Sequence, residues 1–113
     1  MDFEFSYNGK RLSLDVKRLG KFSRGIGLMF KSSPKILLFD FGREVNLSIH
    51  SYFVFFPFLA FWLDDKNRVL DWKIVRPFES GIRPHVHYRR LVEVPLTEEN
   101  RKIELFFRRQ GKV

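Results

Sequence analysis

Ile49–Trp72 reads IHSYFVFFPFLAFWLDDKNRVLDW, with five phenylalanines and Trp62 gathered around Pro57. A stretch this apolar in a short chain has to lie at the centre of the fold, because burying aromatic surface is the largest stabilising term available to it. Tyr52–Leu63 is an uncharged run of twelve residues. Crossing a bilayer as a helix takes about 20 apolar residues, so the run predicts a buried core segment and no membrane span. Pro57 cannot donate a ladder hydrogen bond and marks an edge, a bulge or the start of a strand. The stretch therefore divides there, into one strand before Pro57 and a second over Phe58–Leu63. Asp64-Asp65-Lys66-Asn67-Arg68 is then a polar hairpin loop, and Val69–Val75 the return strand.

Working outward, Phe3–Tyr7 alternates as F-E-F-S-Y and Arg11–Val16 as R-L-S-L-D-V, with Asn8-Gly9 between them. Asn-Gly suits a type I′ turn, whose two central residues need positive φ. A hairpin follows, with Phe3, Phe5 and Tyr7 opposite Leu12, Leu14 and Val16. Lys17–Phe30 is punctuated by Gly20, Gly25 and Gly27. It admits a short helical turn over Phe22–Ile26 and lacks the spacing of a phosphate-binding loop. Lys31–Pro34 reads as loop and Lys35–Phe41 as strand, with Gly42-Arg43-Glu44 as its turn. Val45–His50 alternates as a further strand.

Beyond the core stretch, Pro77–Pro84 is loop and His85–Val94 alternates again up to Pro95. Thr97 then stands as the N-cap of a helix whose first turn holds Glu98 and Glu99. That helix reaches about Leu105, and Phe106–Arg109 suits either its continuation or a last short strand. The whole predicts one domain that is mostly β, a small antiparallel barrel-like sandwich with one or two short helices.

The 113 residues include 14 Phe, which favours strands, and no Cys. The latter excludes disulfides, thiolate metal sites and a cysteine nucleophile. With no apolar leader after the acidic N-terminus, the expected compartment is the cytoplasm. Lys and Arg number 21 against 13 acids, a net charge of +8. The basic residues fall as scattered pairs rather than one block, which favours a solvated surface over a dedicated polyanion-binding arm.

Candidate chemistry is sparse. His85 and His87 would share a strand face, but no third or fourth metal ligand stands at a simple spacing. His50 and Ser51 are adjacent, and on a strand would point to opposite faces, so no nucleophile–base pair forms between them. Asp64 and Asp65 are accounted for by the turn. Tyr88-Arg89-Arg90 and Phe106-Phe107-Arg108-Arg109 interleave aromatics with cations, as nucleic-acid-binding sheets do. Alternation between an apolar core face and a basic wet face produces the same pattern.

Three segments together carry a resemblance. Arg24–Lys31 (RGIGLMFK), Leu37–Phe41 (LLFDF) and Ile49–Pro57 with Phe61–Asp64 and Val69 resemble, in order and spacing, domain-of-unknown-function family 192, particularly its archaeal-type branch. The likeness spans about Val16 to Pro95. It implies a small, mainly β, barrel-like sandwich with short helices and, the family having no assigned function, little about activity. The bacterial pattern commonly has a polar Asn-Thr pair and an Asp after the proline. Here His50–Val54 and Phe58-Leu59 replace them, which puts a family polar site in doubt.

The reading is a small non-enzymatic binding or interaction module without an implied cofactor or metal. A pocket for a small-molecule ligand would lie near Arg24, Met29, His50 and Tyr88, where polar residues rim the aromatic core. The alternative is a nucleic-acid-associated basic protein contacting its partner through Arg89, Arg90, Arg108 and Arg109. A hydrolase or metal-dependent enzyme would require His50, His85 or His87 to meet a carboxylate.

Overall fold

The computed structural model describes residues 1–19, 35–51 and 54–110. Its organising element is a five-stranded sheet in the order β3-β4-β7-β5-β6, formed by β3 (Lys17–Arg18), β4 (Leu37–Val45), β5 (Phe58–Leu63), β6 (Val69–Val75) and β7 (Tyr88–Pro95). All its pairings are antiparallel except β3 with β4. A separate hairpin of β1 (Asp2–Tyr7) and β2 (Lys10–Asp15) turns at Asn8 and Gly9, which have φ 51° and 76°. Its register sets Phe3 opposite Leu14 and Phe5 opposite Leu12, as the alternation predicts.

The decisive stretch owes its composition to burial on both sides. Every residue of β5 is buried, because the sheet has a core on each face. On one face Leu59, Phe61 and Leu63 join Leu38, Val92 and Val94 under Phe3 and Phe5 of the hairpin and under Ile103 and Phe107 of α1 (Arg101–Gln110). Phe107 is the hub there, with its ring centroid 4.9 Å from Phe61, 5.5 Å from Tyr7 and 5.7 Å from Trp72. On the other face Phe58, Ala60 and Trp62 pack with Leu37, Phe39, Tyr88 and Leu91 beneath Val54 and Ile82 from two loops. Strands covered on both faces read as continuous apolar runs rather than alternating ones. The N-terminal hairpin and the C-terminal helix thus share one core with the sheet, in a mostly β sandwich.

Several boundaries differ from the sequence-based expectation. β4 continues through Gly42 (φ 71°) to Val45, with an irregular register against β7 between Asp40 and Val45. Positive φ at a glycine bends the strand without ending it. Asn46–His50 then leaves the sheet, apart from one bridge between Ile49 and Ile82. Val54–Pro57 forms no strand either; the Val54 amide donates to the Ser51 carbonyl and the Pro57 carbonyl accepts from the Leu96 amide, both at 3.1 Å. β7 begins at Tyr88 rather than His85. A 3₁₀ turn over Glu98–Asn100 precedes α1, and Thr97 caps it without a side-chain bond. Phe106–Arg109 continue the helix, because Phe107 on its inner face fills the core. The helical turn over 22–26 and the loop over 31–34 lie outside the described residues.

Candidate functional site

Two stretches of chain cover the second sheet face, residues 46–51 and 54–57 before β5 and 76–87 before β7. They run past each other as an irregular antiparallel ribbon tied at three places. The Asn46 amide donates to the carbonyls of Pro84 at 3.1 Å and Val86 at 2.9 Å. Ile49 and Ile82 exchange both backbone bonds, at 2.7 and 3.1 Å. Ser51, fully buried, makes the third tie. Its amide donates to the Glu79 carbonyl at 2.7 Å and its carbonyl accepts from Phe78 at 2.9 Å. Its hydroxyl accepts from the Glu79 amide at 2.6 Å and donates to the Arg76 carbonyl. A serine spent in this way is a structural weld and not a nucleophile.

The weld sets two rings in water. Phe55 is 63% exposed and Phe78 53% exposed, meeting edge to face with centroids 5.8 Å apart. Phe78 also sits at φ 61°, the left-handed region, where a bulky side chain costs about 1–2 kcal/mol. Leu47 and Val86 add exposed apolar surface towards the Asn46 end of the ribbon. The sequence places Phe55 in the core; the structure instead buries Val54 (2% exposed) and turns Phe55 outward. An aromatic inside the polar loop Pro77–Pro84 was a legible signal for Phe78. The outward turn of Phe55 had none.

The residues singled out from sequence fall in different environments. His50 is exposed on the ribbon. Tyr88 is 1% exposed on the sheet below, where its hydroxyl donates to the Leu47 carbonyl at 2.6 Å. Burial pushes its phenol up to about 12. It anchors the ribbon from beneath and offers no polar atom to a cavity. Arg24 and Met29 lie outside the described residues. His85 and His87 are exposed ahead of β7, and among the described residues no three His, Asp or Glu side chains are grouped to hold a metal ion.

The basic candidates are unequal. Arg90 is an internal clamp: Nε donates to Asp40 at 3.0 Å, and the guanidinium reaches the Asp65 carbonyl at 3.2 Å and the Asn67 side chain at 2.9 Å. It fixes the β5–β6 turn, where Asn67 takes φ 59°. Burial raises the Asp40 carboxyl, but the Gly42 amide, Arg90 and Arg18 outweigh it and hold the acid below its ordinary value. Arg89 is half-buried. Arg108 pairs with Glu104 one turn earlier at 2.8 Å, while Arg109 is exposed.

One titratable group escaped the sequence reading. Glu93, 6% exposed in the central strand, lies between Leu37 of β4 and Ala60 of β5. Alternation puts it on the face of Leu91, Phe39 and Trp62. Burial, with no charged partner among the described residues, pushes its carboxyl up to about 8. Its place in the alternating run H-V-H-Y-R-R-L-V-E-V suggests an outward acid; the second core makes that face interior. Elsewhere, a cleft of about 680 Å³ is lined by Asp15, Lys17, Lys35, Glu99 and Asn100. Its one aspartate is paired with the Met1 ammonium at 2.7 Å, and the Asn100 amide is already committed to the Pro95 carbonyl at 2.9 Å.

No family model matches the chain, and no curated protein matches it. Solved structures do. A "putative transcription regulator" from Sinorhizobium meliloti 1021 superposes with a TM-score of 0.72 at 15% identity, over 89% of this chain and 82% of that one. A protein of unknown function from Novosphingobium aromaticivorans DSM 12444 gives 0.68 at 11% identity, over 90% and 76%. Likeness at such identity establishes the shared fold alone. Among the described residues, no helix is long and apolar enough to cross a membrane.

Proposed function

We propose that this chain is a small, non-enzymatic binding module whose recognition surface is the ribbon of residues 46–51, 54–57 and 76–87. The observation that carries the reading is the Phe55–Phe78 pair. Two aromatic rings are kept in water, one on strained backbone, by a buried weld that would serve equally well with polar residues above it. Strain and exposed aromatics held in place by a rigid support are what a binding surface uses. The family 192 resemblance agrees with such a module and adds no activity to it, and the absence of cysteine suits a cytoplasmic setting.

A thermal-shift screen over metabolites, nucleotides, oligonucleotides, acidic peptides and lipids tests this, run on the wild type beside Phe55→Ser. The expected result is at least one stabilising ligand whose effect shrinks in the variant. Ligands that stabilise both proteins equally would move recognition away from the ribbon. A nucleic-acid partner is the second reading, favoured by Arg76 and Arg83, which are exposed in the same segment as Phe78 and form no ion pair among the described residues. The name carried by the Sinorhizobium neighbour points in the same direction.

A further inference from the structure

We infer that the ribbon binds single-stranded nucleic acid, with bases stacking on Phe55 and Phe78 and phosphates meeting Arg76 and Arg83; this rests on the ribbon being the recognition surface. Arg43, Arg89, Arg101 and Arg109 lie on other elements, and among the arginines without an ion pair in the described residues Arg76 and Arg83 are the two that the ribbon carries. Arg11, Arg18, Arg68, Arg90 and Arg108 each lie within 4.0 Å of a carboxylate of this chain. Arg76 and Arg83 are exposed and form no ion pair among the described residues. They flank Phe78 in the same segment, which adds His85 and His87, with His50 on the facing strand of the ribbon. The acid of this segment, Glu79, is turned back, its Oε1 accepting the Arg76 amide at 2.6 Å.

Unneutralised guanidinium groups in the segment that carries an exposed ring are complementary to a polyanion that also presents flat apolar faces. An acidic peptide supplies the charge without a stacking partner for each ring. In a duplex the base faces are already stacked, so a single strand is the form that satisfies both features. The edge-to-face contact uses the edge of one ring against the face of the other, and each keeps more than half its surface for a base.

The test is fluorescence anisotropy with labelled single-stranded DNA and RNA twelve-mers, the matching duplex, and anionic vesicles as a further arm, at several salt concentrations. The wild type should bind single strands in preference to duplex. Phe55→Ser and Phe78→Gly should each weaken binding about tenfold or more while leaving the salt dependence intact. The double variant R76A/R83A should weaken binding and flatten the plot of log affinity against log salt by about 1.4, the contribution of two phosphates on a single strand. All four side chains are exposed, so the variants stay folded, and a thermal melt checks this. Equal affinity for duplex, or an unchanged salt slope in R76A/R83A, would overturn the inference. Binding to vesicles alone, lost in Phe55→Ser, would overturn the nucleic-acid assignment and leave the ribbon as the recognition surface. Binding that survives every ring substitution would overturn both.

Discussion

Replacing Glu93 by glutamine should make this protein more stable at neutral pH, and the gain should vanish in acid. In the unfolded chain the carboxyl titrates near its ordinary value of 4.5, whereas burial raises it to about 8 in the fold. Between these values the native state holds a proton that the unfolded state has released. Stability therefore falls as pH rises, by about 1.4 kcal/mol per pH unit, and levels off above about 8. The penalty is roughly 3 kcal/mol at pH 7 and roughly 5 kcal/mol in full, as an order of magnitude. Lys73, opposite Ala60, and Lys17, opposite Leu37, each stand one strand beyond a partner of Glu93, and neither makes an ion pair with the acid among the described residues. Asp40 and Asp64 act in the other sense: their lowered carboxyls stabilise the fold above the ordinary aspartate value and lose that effect as pH falls. Both proteins share that acid limb, so the difference between them isolates Glu93. Urea unfolding from pH 4.5 to 9 should show wild type and Glu93→Gln nearly level at the acid end and diverging by several kcal/mol at pH 8. Parallel curves, or a variant less stable at pH 8, would show that the carboxyl is compensated in the fold and refute the reasoning.

Three further outcomes follow from the same contacts. Ser51→Ala removes the partner of the Glu79 amide and the Arg76 carbonyl in a part-buried site, and should cost about 1–3 kcal/mol in chemical denaturation. Hydrogen exchange should quicken across 76–84 in that variant, and unchanged protection there would remove Ser51 as the weld. Arg90→Met should cost about 2–4 kcal/mol, because Asp40 loses its closest cation and the β5–β6 turn its clamp; Arg90→Lys, lacking the fork, should recover less than half. Phe78→Gly should leave the melting temperature level or raise it, since relief of about 1–2 kcal/mol at φ 61° offsets the lost contact with Phe55. A fall of several degrees would mean that Phe78 serves the fold rather than a partner.

Much of the architecture was legible in local chemistry. Asn8-Gly9 specifies its turn because few residues tolerate two successive positive φ values. Phe58–Leu63 and Val69–Val75 follow from an apolar run interrupted by a polar five-residue loop, and both have the predicted bounds. Val45–His50 misled, since alternation resembles a strand whether or not a neighbour stands at hydrogen-bonding distance. Here the neighbour was a loop, and only Ile49 pairs across it. The candidate site was less legible. His50 was visible on its surface, but the rings that define it depend on which member of Val54-Phe55 turns inward.

What Ile49–Trp72 determines alone is that its aromatic surface must be buried, and that Pro57 and Asp64–Arg68 divide it. Hydrophobicity, a missing amide hydrogen and turn propensity are properties of neighbouring residues, so they can be read in order. Which faces are interior is set by what arrives from elsewhere. The N-terminal hairpin and α1 close one side of the sheet, and the ribbon closes the other. That second closure converts Glu93 from a surface acid into a buried one, makes Ser51 a weld and leaves Phe55 and Phe78 in water. Burial is a relation between distant segments, and tertiary structure alone decides it.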